Sequence, residues 1–252
     1  MYTNMPNPMK TLFLASLTVT MAITLATAQE IKKDLRSFDR IITSPHINLV
    51  LKKGDKESIR LVYEGVDRGK INIDVTGKTL HLFLDNARIL EKSEQIGSYG
   101  RRGIYRNATV TAYVTYRSLE YLEMRGTQTL TCRSPLSART FTLKLYGENE
   151  VHLASLHTKC LRTSLYGQNK LEIRGGKAAY QKYKVFGENK IDTKKLQSNF
   201  TTASIYGESE VMVNTQDELR INSFGVSEIQ YSGDPEVNKR IMIGESHVSQ
   251  IR

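Results

Sequence analysis

The 252-residue sequence contains only two cysteines, five prolines and no tryptophan. Cys132 and Cys160 are too few for a disulfide scaffold and lack the CxxC spacing of zinc and redox sites. We expect both to be buried among apolar side chains. The sequence also lacks a phosphate-binding loop, a dinucleotide fingerprint and a Gly-x-Ser-x-Gly nucleophile motif. We therefore predict no catalytic residue, no metal site and no cofactor.

Long hydrophobic runs are also scarce, and the main one lies near the amino terminus. An uncharged apolar stretch at residues 11–25 follows Met9-Lys10 and precedes Ala26-Thr27-Ala28. A basic start, a short apolar region and a small-x-small site are the three parts of a secretory signal peptide. We predict that residues 1–28 are removed, with Met9 as the initiator, and that the mature chain has no membrane span. The alternative is a buried N-terminal helix.

Acidic residues are outnumbered, since 36 Lys and Arg against 26 Asp and Glu give a net charge of +10. This balance favours an anionic partner, such as an acidic glycan, nucleic acid or a membrane surface. Export argues against nucleic acid. We therefore expect a periplasmic, cell-surface or extracellular protein whose partner is a glycan or another anionic polymer, with association to the envelope as a further possibility.

A repeat of about 20 residues organises the second half of the chain. Four copies share one template: Leu145-Tyr-Gly-Glu-Asn-Glu-Val151, Leu165-Tyr-Gly-Gln-Asn-Lys-Leu171, Val185-Phe-Gly-Glu-Asn-Lys-Ile191 and Ile205-Tyr-Gly-Glu-Ser-Glu-Val211. Weaker copies continue the series, so that it contains Gly126, Gly147, Gly167, Gly187, Gly207, Gly225 and Gly244, which we call the corner glycines. Repeats this short cannot bury an apolar face alone and must stack.

Around each corner glycine, apolar and polar residues alternate, as in Phe141-x-Leu143-x-Leu145. A period of two indicates strands, so one copy is a strand, a glycine turn, a second strand and a short return. The sequence therefore predicts an all-β protein with a parallel β-solenoid at residues 117–252. Residues 29–116 are predicted to form a less regular β portion of the same structural unit. A polar segment at 91–107 is predicted to be a flexible surface loop.

The chain resembles a known Bacteroidetes family. The resemblance rests on the leader, Ser37-Phe38-Asp39-Arg40-Ile41, a strand pair ending in Gly77-Lys78-Thr79-Leu80, the strand 110–115 before Gly126, and the glycine repeats. Over roughly residues 37–250 these features look like the family described as putative auto-transporter adhesin, head GIN domain. The family turn usually reads Gly-Ser-Gly-Asp, whereas this chain has Tyr-Gly-Glu-Asn or Tyr-Gly-Gln-Asn. The resemblance implies a right-handed β-helical, exported protein without recognised catalytic residues.

Stacking turns each repeat position into a column, and one set of columns is aromatic and basic. The residues before the corner glycines have outward parity, as do cations three or five residues before them. We predict a face that binds glycan or polyanion, composed of Tyr146, Tyr166, Phe186, Tyr206, Phe224, Lys144, Arg162, Lys182, Lys184 and Arg220. Alternatively, the rings stack on one another only to stabilise the ladder, with the cations as a solvated face.

The columns after the corner glycines suggest two further interpretations. Glu188 and Glu208 fall on adjacent copies at about the carboxylate spacing of a retaining glycosidase, although such a pair also needs a desolvated pocket. Asn149, Asn169 and Asn189 form an amide column that is usually structural. An exported, non-enzymatic, adhesin-like interaction module is thus the main prediction. A β-helical polysaccharide-active enzyme and a self-assembling structural protein, a homo-oligomer, are the alternatives.

Overall fold

The computed structural model describes residues 29–97 and 100–251. The predicted signal peptide lies outside this range. Apart from a 3-10 turn at Arg68–Lys70, the regular elements are strands. They are β1 Gln29–Asp34, β2 Arg40–Thr43, β3 Ile47–Lys53, β4 Ser58–Glu64, β5 Ile71–Thr76, β6 Thr79–Leu84, β7 Ser93–Ile96, β8 Gly100–Gly103, β9 Thr109–Tyr116, β10 Tyr121–Cys132, β11 Leu136–Leu153, β12 Leu156–Ile173, β13 Gly176–Ser232, β14 Glu236–Ile243 and β15 Ser246–Gln250.

The glycine repeats form a parallel β-solenoid of about six turns, which confirms the fold predicted from the sequence. One copy of the repeat, here called a rung, pairs with the next one in register. Gly126 lies beside Gly147, Gly147 beside Gly167 and Gly167 beside Gly187. The long strand β13 continues through three rungs, and β14 and β15 pair in parallel with its last part. The 20-residue period therefore equals one turn of the solenoid.

The corner glycines meet a steric condition that no other residue satisfies well. Their φ angles lie between 97° and 133°, a region that side chains disfavour. In addition, each corner stacks closely on the preceding one. A Cβ atom on Gly167 would lie 2.4 Å from the carbonyl oxygen of Gly147, and one on Gly187 would lie 2.5 Å from that of Gly167. The repeat of glycine thus follows from the close contact of successive corners.

The amino-terminal portion continues the same ladder. Strands β2 and β3 form a rung that pairs in parallel with β10, and Pro45 packs against Gly126 at its corner. Strand β6 then pairs in parallel with β2, and β9 with β3. The outermost strands reverse direction, because β5 is antiparallel to β6, β4 to β9 and β1 to β4. The first rungs are therefore covered by antiparallel strands.

The core is a stack of inward-facing columns. Each rung has two arms, one before and one after its corner glycine. The residues two before and four after the corner glycines are fully buried. They are Leu145, Leu165, Val185 and Ile205 on the arm before the corner, and Val151, Leu171, Ile191 and Val211 on the arm after it. Full burial of one such side chain contributes about 1.5–3 kcal/mol. A neighbouring inward-facing column contains a polar group at Tyr183, whose hydroxyl lies 3.0 Å from Oγ1 of Thr193 and donates to Gln181. This internal polar cluster is hydrogen-bonded rather than left unpaired.

The segment 91–107 contains a short hairpin rather than only a loop. Strands β7 and β8 pair antiparallel, with residues 98–99 outside the described range. The base of the hairpin is held by Glu91, which accepts a hydrogen bond from the backbone of Tyr105 and lies 2.9 Å from Nε2 of His46. The buried Tyr105 donates its hydroxyl to the carbonyl of Asp85 at 2.7 Å. These contacts attach the insertion to the first rungs of the solenoid.

Candidate binding surface

The predicted aromatic column is present as a continuous stack of rings. Adjacent ring centroids are 4.7–5.0 Å apart and the rings are within 5° of parallel. The stack contains Tyr146, Tyr166, Phe186, Tyr206 and Phe224. Each aromatic pair of this kind stabilises a protein by about 0.5–1.5 kcal/mol beyond area burial. The rings therefore support the ladder, as the second interpretation of these columns predicts.

Stacking also decides which part of each ring is presented to solvent. The faces of the inner rings cover one another, so a sugar ring has no free face to pack on at Tyr166, Phe186 or Tyr206. The ring edges point outward, and Tyr166 and Tyr206 remain exposed. The column thus presents ring edges and the phenol hydroxyls of its tyrosines rather than a platform for sugar stacking.

The predicted cations lie on the same outward side of the solenoid as these rings. By register, Lys144 and Lys184 occupy one column, while Arg162, Lys182 and Arg220 occupy the next. Together with the aromatic column they form what we call the basic face. Arg220 forms an ion pair with Glu218. The other four cations make no ion pair with any residue in 29–97 or 100–251.

The basic face extends toward the amino terminus. The ring of Tyr121 lies between two cations, with Cζ of Arg40 4.0 Å and Nζ of Lys144 5.6 Å from its centroid. Burial raises the pKa of the Tyr121 phenol, which therefore stays protonated and donates to Glu123. That carboxylate is itself buried and accepts from Nε of Arg125 at 2.7 Å. The carboxylate of Glu123 at this end of the face is thus paired with Arg125.

A second aromatic pair lies at the opposite edge of the same face. Tyr180 and Phe200 stack with centroids 5.1 Å apart and are 39% and 36% exposed.

Cys160, which pairs with Tyr180 in the register, is partly exposed. The expectation that Cys160 is buried is therefore wrong, whereas Cys132 is buried, and both thiols are free. The sequence position of Cys160 could have shown this. A residue seven positions before a corner glycine has the same outward parity as a residue one position before it.

The other flank of the corner carries the amide column and the glutamates. Asn149 donates from Nδ2 to Oδ1 of Asn169 at 2.9 Å, and Asn169 donates in the same way to Asn189 at 3.0 Å. All three are buried, so the column is structural, as predicted. Glu188 and Glu208 line a shallow groove beside it and are exposed. The desolvated pocket that a glycosidase acid requires is therefore not built around these two carboxylates.

One column farther along, charges of opposite sign form pairs between neighbouring rungs. Nζ of Lys170 lies 2.8 Å from Oε1 of Glu150, and Nζ of Lys190 lies 2.5 Å from Oε2 of Glu210. Glu172 joins this network, because its carboxylate contacts Arg174 and His152 at 2.8 Å each. These two partners lower the pKa of Glu172 to about 2. These charges of the arm after the corner are thus paired, unlike Lys144, Arg162, Lys182 and Lys184 of the basic face.

Among residues 29–97 and 100–251, His, Cys, Asp and Glu side chains do not gather in groups of three or more that would suit a metal ion. The same residues include no helix with the length and apolar character needed to cross a bilayer.

Solved structures share this fold at low sequence identity. A putative adhesin from Bacteroides fragilis superposes with a TM-score of 0.69 at 18% identity, covering 90% of this chain and 98% of its own. A putative lipid binding protein from Parabacteroides distasonis gives 0.66 at 16% identity with the same coverages. A putative adhesin from Parabacteroides merdae gives 0.61 at 15%, again covering 90% and 98%. No protein of curated function matches the sequence.

The family comparison covers most of the described residues. The family model described as "Putative auto-transporter adhesin, head GIN domain" matches residues 37–235. This span includes strands β2 to β13, the basic face and all corner glycines but Gly244. The chain therefore belongs to the family of putative auto-transporter adhesin, head GIN domains.

Proposed function

We propose that the protein is an exported, adhesin-like module that holds an anionic polymer, foremost an acidic glycan, on its basic face without cleaving it. Family membership and the adhesins among its structural neighbours support the adhesin-like role. The secretory pattern of residues 1–28 supports export.

One observation supports an anionic polymer as the ligand. On the rungs of β11, β12 and the first part of β13, the outward positions before the corner contain four cations without ion-pair partners in the described ranges and no carboxylate. They are Lys144, Arg162, Lys182 and Lys184. Rungs lie about 4.8 Å apart, so the four charges form a compact strip beside outward-pointing ring edges. Such a strip attracts a linear polyanion more strongly than a neutral chain.

The experiment compares two double variants that remove the same charge. The purified protein is titrated with polygalacturonate, with dextran as the uncharged polymer. Lys182→Gln plus Lys184→Gln removes two cations from the basic face. Lys170→Gln plus Lys190→Gln removes two cations that already pair with Glu150 and Glu210 on the other arm. Both variants keep the core intact, because all four side chains are exposed.

We expect polygalacturonate to bind and the first variant to weaken binding by about 2- to 30-fold, for two exposed charge contacts of ~0.2–1 kcal/mol each. The second variant should bind as tightly as the unmodified protein. Rising salt should weaken binding, since exposed charges are screened. Equal affinity in both variants would overturn the assignment of the face. Release of new reducing ends from the polymer would support the enzyme instead.

A further inference from the structure

The insertion that contains β7 and β8 lies outside the main sheet. The two strands pair with each other and, within residues 29–97 and 100–251, with no strand of the solenoid. All four residues of β7 are exposed. Successive residues of a strand point to opposite faces, so both faces of the hairpin are open to solvent. Residues 88–97 and 100–106, here called the hairpin region, are attached at the base, where Glu91 lies 2.9 Å from Nε2 of His46.

Four aliphatic side chains of the hairpin region are exposed. Leu90 at 81% and Ile89 at 64% are the two most exposed large apolar residues that the structure describes, and Ile96 and Ile104 are exposed as well. By the register of β7 and β8, Ile96 and Ile104 point to the same face. The N–H of Ile104 donates to the carbonyl of Lys92, two residues after Leu90, so these side chains belong to one small surface. Aliphatic groups gathered in this way mark a contact surface, whereas single exposed ones are ordinary.

The hairpin region is also strongly basic. Its charged residues are five cations and two carboxylates, namely Arg88, Lys92, Arg101, Arg102, Arg106, Glu91 and Glu94. Both carboxylates are engaged, because Glu94 pairs with Arg102 at 3.3 Å and Glu91 accepts from the backbone N–H of Tyr105. The other four cations form no ion pair with any residue in the described ranges. The region therefore attracts an anionic surface.

Aliphatic side chains interspersed with cations fit the surface of an anionic bilayer. The aliphatic groups enter the boundary between headgroups and acyl chains, while the cations contact lipid phosphates. A stable protein contact would instead cover about 800 Å² on each partner, with aromatic anchors at its centre. Strands β7 and β8 have only four residues each, and Tyr105, the aromatic residue in 88–97 and 100–106, is buried and bonded to Asp85. Size and composition therefore favour a membrane over a protein partner.

We propose that the hairpin region docks the protein on an anionic membrane surface. Ile89, Leu90, Ile96 and Ile104 enter the interfacial layer, and the unpaired cations contact lipid phosphates. This surface is separate from the basic face, because the hairpin region precedes every corner glycine and its strands form a sheet of their own. The inference does not rest on the proposed function, so each surface can be tested with the other one intact.

The test measures cosedimentation of the exported protein, with any leader already removed by the exporting cell, with two kinds of vesicle. One kind is phosphatidylcholine alone, and the other also contains phosphatidylglycerol. Ile89→Ser plus Leu90→Ser removes two aliphatic groups from the hairpin region. Ile241→Ser plus Ile243→Ser is the matched control, because these two residues are also exposed and lie on the last rung, in β14.

A second pair of variants separates the hairpin region from the basic face. Arg101→Gln plus Arg106→Gln removes two exposed cations from the hairpin region, and Lys182→Gln plus Lys184→Gln removes two from the basic face. All the substituted side chains are exposed, so the core is unchanged, and circular dichroism checks the fold of each variant.

We expect binding to the vesicles that contain phosphatidylglycerol and much weaker binding to phosphatidylcholine alone. Ile89→Ser plus Leu90→Ser should weaken binding by about 10- to 100-fold, because two aliphatic groups no longer enter an apolar environment. The control pair in β14 should have no effect. Arg101→Gln plus Arg106→Gln should weaken binding by about 10- to 30-fold, and the pair on the basic face should weaken it less.

Three results would overturn the proposal. In the first, the protein binds neither kind of vesicle, whether or not it binds polygalacturonate. In the second, the aliphatic pair of the hairpin region has no larger effect than the pair in β14. In the third, loss of the two lysines from the basic face costs as much as loss of the two arginines, which would mean that the membrane attracts the whole positive charge of the protein.

Discussion

Asn169 donates from Nδ2 to Oδ1 of Asn189, one rung along, at 3.0 Å, and accepts from Asn149 in the same manner at 2.9 Å. The same oxygen of Asn169 also accepts from the backbone N–H of Asn149 at 3.2 Å. Its Nδ2 reaches the carbonyl of Tyr166 at 3.3 Å. One buried amide therefore ties three rungs together beneath the corner.

Asn169→Ala should lower the free energy of unfolding by about 1–3 kcal/mol or more, because it leaves buried donors of Asn149 and an acceptor of Tyr166 without partners. Asn169→Ser should cost less, since Ser209 occupies the same column two rungs later. Urea unfolding measures both. Asn199→Ala is the control, because Asn199 is exposed and its side chain bonds, among the residues that the structure describes, only to Asp217. A loss no larger than in this control would contradict a structural role for the amide column.

The aromatic stack predicts a difference between two tyrosines of one column. Tyr166 stacks between two rings, whereas Tyr146 has one ring partner and Arg125 in the column on its other side. We expect Tyr166→Ala to destabilise the fold by about 1–3 kcal/mol and Tyr146→Ala by about half as much, in proportion to the aromatic pairs lost. Thermal unfolding compares the two. The stack contributes little to stability if both substitutions leave the midpoint unchanged.

Gly187→Ala should be strongly destabilising. The φ of Gly187 is 98°, and an added Cβ would lie 2.5 Å from the carbonyl oxygen of Gly167. The backbone strain alone costs about 1–3 kcal/mol, and separating the two corners adds to it. Gly69→Ala is the matched control, because its φ is not positive and its Cβ would meet no atom within 4 Å. Similar urea midpoints for the two variants would disprove the close contact of successive corners.

The lowered pKa of Glu172 predicts how the stability of the fold changes in acid. Its pKa is about 2 in the folded protein because Arg174 and His152 hold the charged form, against an ordinary value of 4.5. A lowered pKa means that the contribution is complete above about pH 4.5 and is lost as the pH falls toward 2. The free energy of unfolding should therefore decrease over that window, and less steeply in Glu172→Gln. Urea titrations at several acidic pH values test this, and identical pH slopes for both proteins would refute it.

Much of this architecture could be predicted because the repeat fixes its own register. The spacing of Gly147, Gly167 and Gly187 sets which residues share a column, and alternation sets which of them face outward. The aromatic stack, the Asn column and the pairing of Lys170 with Glu150 all follow from these two rules. None of them needs information about contacts between distant parts of the chain, since neighbours in space are one period apart in sequence.

Some features were not predicted because the type of a residue and its position in the repeat point to different locations, or because the repeat pattern does not determine them. Cys160 was expected inside because it is apolar. It lies seven residues before Gly167, however, and this odd number places it on the outer side with Tyr180. The first rung was not recognised because Pro45, rather than a glycine, forms its corner. The orientation of the rings was also open, because parity fixes the side of a strand but not whether a ring presents its face or its edge. Side-chain packing between rungs decides that.

Successive turns of the solenoid have the same corner structure, and this affects how such a chain can change in length. Removal of residues 168–187 would join Gly167 directly to Glu188 and leave every remaining column in order. A whole turn can therefore be lost or duplicated in one step without the formation of a new core. The reach of the molecule along an extended ligand is thus set by the number of copies, independently of the residues within each copy.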